Sequence, residues 1–319
     1  MSAAARDPNQ GYSMLSDDAE LDHDELSWKG PGARDDVEGE SFLRPDPARV
    51  YHCLSGGRWD FRIDEAFARR LTDIDETVRT AAVINRLHGT LIAHFLAERG
   101  FAQILDLGCG YAHDWSRALG RHETPLLGDV LPRATIVHVD IDGIAAGRAQ
   151  STMAGLYGNP SVLQADIRLM PEVLAHPQIA ERFDTSRPIA ALLHDVLPWI
   201  GDDQETAAAV AALREWLPPG SALSLTHATS DLSPTPHTQA QLTSLWDEEA
   251  ATSFRPRTRN AINALFGDWD LVDPGLVPTA RWHPGHPHAR DPDTYSAAFA
   301  GLALKPQART SDVEEHRCT

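Results

Sequence analysis

The sequence lacks the features that would place the protein in a membrane or in an oxidising compartment. Its 319 residues contain no apolar run of about 18 residues or longer, so no transmembrane helix is expected. The first residues, MSAAARDPNQGYSML, do not have the charged-then-apolar order of a signal peptide. Cys53, Cys109 and Cys318 have no paired spacing that would predict a disulfide framework or a zinc site. We therefore expect a cytoplasmic protein with free thiols, no membrane partner and no metal.

Basic residues are scarce as well, since 28 Lys and Arg stand against 46 Asp and Glu and give a formal net charge of −18. Such a surface repels nucleic acid at long range, so we expect no nucleic-acid partner and favour a neutral or cationic ligand. Residues 1–40 hold eleven acidic and three basic residues without apolar periodicity, which predicts a disordered acidic tail. The hydrophobic content of 42% is sufficient for a large core.

Beyond residue 45 the pattern changes to helices and short strands. Apolar residues at three- and four-residue steps predict an amphipathic helix from Val78 to Leu96, with Gly100 as its stop. Seven strand-like runs alternate with helix-compatible sequence, which predicts a single α/β sheet with helices on both faces. The runs are Gln103–Leu107, Thr135–Asp140, Ser161–Ala165, Ile189–Leu193, Ala222–Thr226, Asp270–Leu276 and Ser296–Leu304. A Pro-rich segment too short for a crossover helix separates the last two runs, so we expect them to be antiparallel.

The first strand leads into a glycine loop, LDLGCG, at the place where an open α/β sheet binds its cofactor. Glycines there let the backbone approach a ligand, and the following helix N-terminus attracts negative charge. A dinucleotide fingerprint requires a third glycine where His113 stands, which disfavours a pyrophosphate. The remaining pattern of Asp106, Gly108 and Gly110 resembles motif I of S-adenosylmethionine (SAM)-dependent methyltransferases. Cys109 is included in this predicted cofactor loop, but only as a small residue and not as a nucleophile, because no base lies beside it in sequence.

Two more carboxylates stand at the ends of the next two strands. Asp140 ends the run VHVD, where a carboxylate can accept both ribose hydroxyl protons, and Asp166 ends VLQAD, near the expected adenine amino group. A surface-acid interpretation fits either residue alone, but it fits poorly when three acids end three successive strands. We include the adjacent Ile141 and Ile167 in the predicted cofactor site.

Four further segments carry a more specific signal than the glycine loop. They are PDPARVYHCLSGGRWDF, VRTAAVINRLH, PPGSALSLTHATSD and DWDLVDPGLVPTARWHP. In this order they resemble the N-terminal signature, the Asn-Arg helix, the fifth strand with its loop, and the late Pro-Gly-Leu-Val-Pro segment of one family. This is an actinobacterial SAM-dependent methyltransferase family that was first catalogued as a domain of unknown function, and the resemblance covers residues 45–306.

The resemblance implies a class I methyltransferase with a Rossmann-like α/β fold and SAM as its cofactor. The implied sheet has seven strands, is mostly parallel, has an antiparallel last strand and carries helices on both faces. We expect an acidic tail at 1–40, a helical cap segment at 41–100, the SAM-binding domain at 101–306 and a polar tail at 307–319.

The resemblance also implies the cofactor contacts. SAM would be held at Asp106, Gly108, Gly110, Asp140 and Asp166, and covered by Tyr51, Gly56, Gly57 and Arg86. Arg86 is a candidate partner for the cofactor carboxylate, whereas the alternative is an arginine on a solvated helix surface.

The sequence departs from the family pattern on the acceptor side. His52 stands in place of an Asp, YAHD replaces a Pro-Thr pair after the glycine loop, and Pro198 replaces a His after the fourth strand. In this sequence, His194 and Asp195 stand at the end of the fourth strand instead. A neutral imidazole can take a proton near pH 7, so His194 is either a base or a hydrogen-bonded strand-end residue. His227 after the fifth strand is a second base, an acceptor-positioning group or a loop anchor.

Other candidate side chains have simpler alternatives. Three tryptophans, Trp199, Trp246 and Trp282, either wall an apolar acceptor pocket or belong to the core. The HPGHPH segment clusters imidazoles, but prolines separate them and no carboxylate or thiol lies at a fitting distance, so a metal site is not favoured.

The sequence therefore predicts a SAM-dependent methyltransferase that acts on a small-molecule acceptor, with oxygen or nitrogen favoured over carbon and specialised (secondary) metabolism as a candidate setting. An alternative is a protein of the same fold that binds SAM or S-adenosylhomocysteine as a sensor or as a cyclase-like enzyme. A weaker alternative is an NAD-dependent oxidoreductase. Formation of a homodimer stays open.

Overall fold

The structure is a computed structural model that describes residues 43–57, 61–111, 127–157 and 161–307. The predicted acidic tail, the YAHD departure beyond Tyr111 and most of the predicted C-terminal tail lie outside these residues. Within the described chain, no helix is long and apolar enough to cross a membrane.

Three helices precede the sheet: α1 (Pro47–Leu54), α2 (Arg62–Ile74) and α3 (Thr77–Glu98). Helix α1 begins at Pro47 because the Asp46 carboxylate caps it by accepting a hydrogen bond from the Ala48 N–H. Helix α3 contains the predicted amphipathic helix and extends it slightly at both ends. The buried face of α3 carries two polar side chains, Asn85 and His88, among its apolar residues.

The remaining elements alternate along the chain as the sequence predicts. They are β1 (Gln103–Leu107), α4 (Leu127–Val130), β2 (Thr135–Asp140), α5 (Gly143–Tyr157), β3 (Ser161–Gln164), α6 (Met170–Ala175), α7 (Pro177–Ala180), β4 (Ala190–His194), α8 (Asp203–Trp216), β5 (Ala222–Ala228), α9 (Pro236–Glu249), α10 (Arg259–Ala264), β6 (Asp270–Leu271), β7 (Val277–Pro278) and β8 (Ala298–Leu304). Short 3₁₀ segments cover Ile167–Leu169, Leu197–Trp199, Thr279–Arg281 and Asp293–Ser296.

The strands form one sheet in the order β3-β2-β1-β4-β5-β8-β6, and β7 also pairs with β8. The first five strands are parallel, whereas β8 is antiparallel to β5, β6 and β7. This confirms the predicted α/β class, the mostly parallel sheet and the antiparallel last strand. The order reverses between β1 and β4, where such sheets bind ligands.

One strand prediction differs in detail. Only Asp270–Leu271 of the run predicted as a single strand, Asp270–Leu276, forms a strand (β6), and β7 begins just after the run at Val277, so the described sheet has eight strands rather than seven. Pro274 and Gly275 interrupt it, because Pro274 has no N–H for the ladder and the Gly275 N–H closes a turn onto the Val272 carbonyl at 2.8 Å.

The alternation of side chains along the central strands separates two cores. On one face, Leu193 of β4 and Leu225 of β5 belong to the larger core, which includes residues of α6, α8 and α10. On the other face, Leu192 packs with the apolar side of α3. Because successive strand residues point to opposite faces, His194 shares the α3 face with Leu192, and His227 points to the opposite face.

A third cluster joins helices that are far apart in sequence. It contains Val50 and Leu54 of α1, Phe67 of α2, and Leu245 and Trp246 of α9. The helical cap predicted from residues 41–100 therefore packs with a helix inserted between β5 and β6. The packing of α9 against these helices could not be predicted from the N-terminal segment alone.

Candidate functional site

The glycine loop is tied to the end of β2 by backbone hydrogen bonds. The N–H groups of Gly108 and Cys109 donate to the Val139 carbonyl at 2.8 and 3.0 Å. The Gly110 N–H donates to Asp140 Oδ2 at 2.7 Å, and Asp140 Oδ1 accepts from the Asp142 N–H at 3.0 Å. Asp140 therefore joins the loop after β1 to the loop after β2.

Gly108 allows the loop to lie against the chain that follows β4. Its φ of +74° is in the left-handed region, and a Cβ there would lie 2.3 Å from Val196 Cγ2. Any larger residue would strain the backbone and displace Val196, so the glycine is required by both conformation and space. The loop after β1 consequently packs directly against the chain that follows β4.

The Asp140 carboxyl titrates closer to neutral pH than an exposed aspartate does. Burial raises its pKa to about 6, although the hydrogen bonds from Asp142 and Gly110 act in the opposite direction. Its exposed fraction is 6%. The next residue, Ile141, is 53% exposed, so an apolar surface lies directly beside this carboxylate.

The other two predicted acids also lie at strand ends, but each already has a partner. Asp106 Oδ2 lies 2.8 Å from His138 Nδ1 on the α3 face. Asp166 is buried and accepts hydrogen bonds from the Arg168 N–H and from Arg168 Nε, each at 2.9 Å. Ile167 beside it is buried, in contrast to Ile141.

Arg86 reaches the glycine loop from α3. A Cβ on Gly110 would lie 3.4 Å from Arg86 Nη2, and Arg86 Cζ lies 5.0 Å from the Tyr51 ring centroid. Tyr51 is fixed in turn, because its hydroxyl accepts from Asn85 Nδ2 at 2.7 Å and donates to a carbonyl of α3. Asn85 Oδ1 accepts from Thr226 Oγ1 at 2.6 Å, so the network connects α1, α3 and β5.

His52 of α1 covers the far side of the loop. Its ring stacks on Tyr111 with centroids 4.9 Å apart and an interplanar angle of 27°. A Cβ on Gly57 would lie 2.3 Å from the His52 ring, so this glycine provides the space for the stacked imidazole. Gly56 forms the turn that leads into Gly57, and its N–H donates to the Cys53 carbonyl at 3.1 Å.

His194 lies at the end of β4, with its Nε2 2.9 Å from Ser224 Oγ of β5. Burial lowers its pKa to about 4, although the Asp106 carboxylate acts in the opposite direction. The ring is therefore neutral at pH 7 and a weak base. Its position agrees with the prediction, but its chemistry favours hydrogen bonding over proton abstraction.

Asp195 has a more favourable acid–base chemistry. Burial raises its pKa to about 7, although the hydrogen bond from the Ala228 N–H and the charge of Arg86 both lower it. That N–H lies 3.1 Å from Asp195 Oδ1. Its φ of +58° is a strained conformation for a residue with a side chain, and such strain clusters at functional sites.

His227 lies apart from these groups. Its Nδ1 lies 2.7 Å from the Ala228 carbonyl oxygen, and its Nε2 lies 3.1 Å from Arg257 Nη1. The buried Arg257 also donates to the carbonyls of Leu197 and Ile200. Both ring nitrogens are occupied on the face opposite to His194, so the structure favours the loop-anchor interpretation of His227.

Comparisons with known proteins identify the family and support the fold. The sequence profile of the S-adenosyl methyltransferase family matches residues 36–306. The chain belongs to this family. A crystal structure from Thermobifida fusca, described as a candidate methyltransferase, has 32% identity and a TM-score of 0.73, over 84% of this chain and 98% of that one. A DUF574 family protein from Streptomyces avermitilis has 25% identity and a TM-score of 0.73, over 83% and 99%. Curated protein sequences give no match.

The family establishes the protein as a SAM-dependent methyltransferase, and the residues of the crevice fit that cofactor. Bound SAM supplies a methyl group on a positively charged sulfonium. Asp106, Asp140 and Asp195 lie at or directly after the carboxyl ends of β1, β2 and β4 and favour a cation at this edge of the sheet, whereas Arg86 is a cation beside the glycine loop that suits a carboxylate. The exposed side chain of Ile141 offers an apolar surface to the adenine ring of the cofactor.

The remaining candidate residues of this methyltransferase make contacts that are explained by packing and hydrogen bonding within the fold. Trp246 and Trp199 stack edge-to-face at 4.6 Å in the cap cluster. In the HPGHPH segment, His286 Nε2 lies 3.0 Å from the Ile84 carbonyl oxygen, and His288 Nδ1 lies 2.8 Å from Asp291. No group of three or more His, Cys, Asp or Glu in the described ranges could hold a metal. Burial raises the pKa of the Cys109 thiol well above its usual range, so it is a poor nucleophile.

The sequence reasoning missed several residues that shape the methyltransferase site. Ser224 and Thr226 lie two residues apart in β5, which is a readable signal for a polar stripe on one face. Asn85 lies in the helix segment already quoted for the family. Arg257, which instead holds His227 on the opposite face of the sheet, carries no such signal, because its partners come from segments that only the fold brings together.

Proposed function

We propose that this methyltransferase transfers the methyl group to an oxygen or nitrogen atom of a neutral or cationic small molecule, with specialised metabolism as a candidate setting. The observation that carries the proposal is the carboxyl of Asp195, which lies at the end of β4 in the electrostatic field of Arg86. Burial raises the pKa of this carboxyl to about 7. Oxygen and nitrogen acceptors release a proton on methylation, and a carboxylate of this pKa can accept it near neutral pH. The acidic crevice disfavours an anionic acceptor.

We assign the cofactor contacts as follows. Asp140 accepts hydrogen bonds from the ribose hydroxyls, Asp166 and Ile141 lie against the adenine, and the Gly108–Gly110 loop carries the methionine part. Arg86 pairs with the cofactor carboxylate, since its guanidinium lies beside the loop and Tyr51 packs against it.

The catalytic roles are assigned to two adjacent residues. Asp195 takes the proton that the acceptor loses, because its pKa matches the working pH and its backbone fixes its direction. His194 stays neutral and orients the acceptor by a hydrogen bond, with Ser224 holding its other nitrogen. His227 takes no part in the proposed catalytic set.

The cap limits the size of the acceptor. Helix α1 contacts Arg86 and Tyr111 at the glycine loop, while the cluster formed by α1, α2 and α9 packs behind it. A site under such a cap is suited to a small molecule rather than to a polymer. The proposed domain division is therefore a cap at 41–100, extended by α9, over a SAM-binding domain at 101–306.

The experiment combines binding with product mass. Isothermal titration measures the affinity for SAM and for S-adenosylhomocysteine, and a panel of hydroxylated and amine-bearing compounds is then incubated with SAM carrying a deuterated methyl group. We expect a product that gains the deuterated methyl mass. No binding at millimolar SAM would contradict the proposal, whereas binding without any methylated product would favour the sensor or cyclase-like alternative.

Asp195→Asn tests the base. Asparagine tolerates the left-handed backbone and can still accept from the Ala228 N–H, so the fold and the SAM affinity should persist. We expect kcat to fall by roughly 100-fold, as is typical when a general base is lost. Asp142→Asn, a neighbouring acid outside the proposed base role, is the matched control. An unchanged kcat in Asp195→Asn would remove Asp195 from the base role.

A further inference from the structure

His138 is a buried imidazole in β2 to which the proposed function gives no role. It is 7% exposed, and its neighbours Val137 and Val139 belong to the larger core on one face of the sheet. Because successive strand residues alternate, His138 shares the α3 face with Ile136. A buried imidazole needs a hydrogen-bond partner, so the partner shows what this residue does.

The partner is Asp106, which lies directly opposite on β1. The two residues are in register in the parallel pair of β1 and β2, and Nδ1 of the imidazole lies 2.8 Å from Asp106 Oδ2. A carboxylate can only accept, so Nδ1 carries the proton and donates it. Hydrogen bonds to an ionised acceptor are stronger than those between neutral groups. An apolar ring of similar size could fill the same space, but it could not donate this bond.

The bond occupies one oxygen of Asp106 and leaves the other available. The side chain of Asp106 is 16% exposed. Among the residues that the structure describes, His138 is the one hydrogen-bond partner of this carboxylate, and it binds Oδ2. Oδ1 can therefore accept from a ligand while the imidazole fixes the plane of the carboxylate.

The negative charge of Asp106 acts on both ends of the crevice. Besides burial, it raises the pKa of Asp140, and it opposes the burial that lowers the pKa of His194. Asp106 thus lies between the proposed ribose contact and the residue proposed to orient the acceptor. The part of SAM that extends from the ribose to the transferred methyl group is its methionine part, which carries the sulfonium and the ammonium of the cofactor.

We propose that His138 is a positioning residue of the SAM site, which holds the Asp106 carboxylate so that its second oxygen meets a positively charged group of the methionine part. The proposal rests on the cofactor contacts of the proposed function, but not on the acceptor or on the base. A carboxylate that is already fixed loses no freedom when the cofactor binds, so the hydrogen bond raises the affinity.

The test compares three ligands by isothermal titration: SAM, S-adenosylhomocysteine and methylthioadenosine, which keeps the adenosine but has neither positive charge. His138→Phe keeps a ring and removes the donor. We expect its affinity for SAM to fall by about tenfold, as for the loss of one charge-assisted hydrogen bond, and its affinity for methylthioadenosine to stay unchanged. An equal loss for S-adenosylhomocysteine assigns the contact to the ammonium, whereas a loss for SAM alone assigns it to the sulfonium. His138→Asn, whose amide N–H can take the place of Nδ1–H, should restore most of the affinity for SAM.

Two further variants separate positioning from packing. Ile136→Ala removes an apolar side chain from the same face of β2, so it should change the affinities for SAM and methylthioadenosine by the same factor. In an Asp106→Asn background, His138→Phe should cause little further loss, because the imidazole acts through that carboxylate. His138→Leu gives the same comparison if His138→Phe does not fold.

An unchanged affinity for SAM in the folded His138→Phe variant, or an equal loss for methylthioadenosine, would overturn the proposal and leave His138 as a packing residue. The expected affinities together with no methylated product would contradict only the proposed function, because every measurement here is made without an acceptor.

Discussion

At the scale of single residues, the proposed ribose contact depends on the protonation of Asp140. Its pKa is raised to about 6 by burial, so the carboxylate is present above that pH and is lost as the pH falls through it. A protonated carboxyl cannot accept two hydroxyl protons and also hold the Gly110 N–H. The affinity for SAM should therefore fall by about tenfold between pH 7 and pH 5, in proportion to the ionised fraction.

Calorimetric titration of SAM across this range measures the effect. Asp140→Asn keeps the size of the side chain but has no ionisable group, so we expect weaker binding at pH 7 and a nearly flat pH dependence. Asp142→Asn removes a charge that raises the pKa of Asp140, so we expect it to move the pH dependence to lower pH without abolishing it. A wild-type affinity that stays constant down to pH 5, together with an unchanged affinity of Asp140→Asn at pH 7, would exclude Asp140 as the ribose contact.

Individual residues also show how much of the candidate site could be predicted from the sequence. The strand-end position of Asp140 follows from a local pattern, and His194 and Leu192 share a face by simple parity. The preference for Asp195 over His194 as the base could not be predicted, because it depends on burial and on Arg86 of a distant helix. The loop-anchor interpretation of His227 depends on its contact with Arg257, which is likewise set by the fold.

At the scale of elements, α1 is held in place by a buried ion pair to α2. Arg49 Nε lies 2.8 Å from Asp64 Oδ2, with exposed side-chain fractions of 1% and 0%. The other Asp64 oxygen accepts from the Asp46 N–H at 3.0 Å, at the start of α1. Removing one member of such a pair leaves the other charge buried without compensation, which is strongly destabilising.

Asp64→Ala should therefore lower the free energy of unfolding by about 3–5 kcal/mol. Because Tyr51 and His52 of α1 cover the glycine loop, we also expect a weaker affinity for SAM. Urea denaturation and calorimetric titration measure the two effects. Asp73→Ala on an exposed position of the same helix is the matched control and should change neither quantity appreciably. Equal stability of both variants would show that the ion pair does not hold α1.

Whether a helix or strand could be predicted from the sequence depends on how far apart in sequence its determining contacts lie. The strands and α3 were predictable because their patterns are local and strongly periodic. The division between β6 and β7 depends on Pro274 and Gly275, whose turn signal the strand prediction overlooked. The packing of α9 with the cap helices could not be predicted, because Trp246 contacts Phe67 only through the tertiary fold.

At the scale of the whole molecule, buried acids and buried histidines impose opposite pH dependences. Asp46 and Asp195 have pKa values raised to about 7, so they hold protons in the folded state that the unfolded chain releases. Their contribution is present at acidic pH and is lost as the pH rises through about 7. The pKa values of His194 and His227 are lowered to about 4 and about 3, so their contribution is lost as the pH falls below the ordinary value of about 6.5.

These effects predict a stability maximum on the acidic side of neutrality. Between pH 6 and pH 8 the two carboxyls lose their protons, and the net charge of −18 adds self-repulsion, so the free energy of unfolding should decrease. Urea denaturation at intervals of half a pH unit measures the profile of the ligand-free protein. The double variant Asp46→Asn and Asp195→Asn should remove most of the decrease, because neither position can then titrate. A wild-type stability that rises steadily from pH 6 to pH 8 would contradict the raised pKa values, and with them the assignment of Asp195 as a base matched to neutral pH.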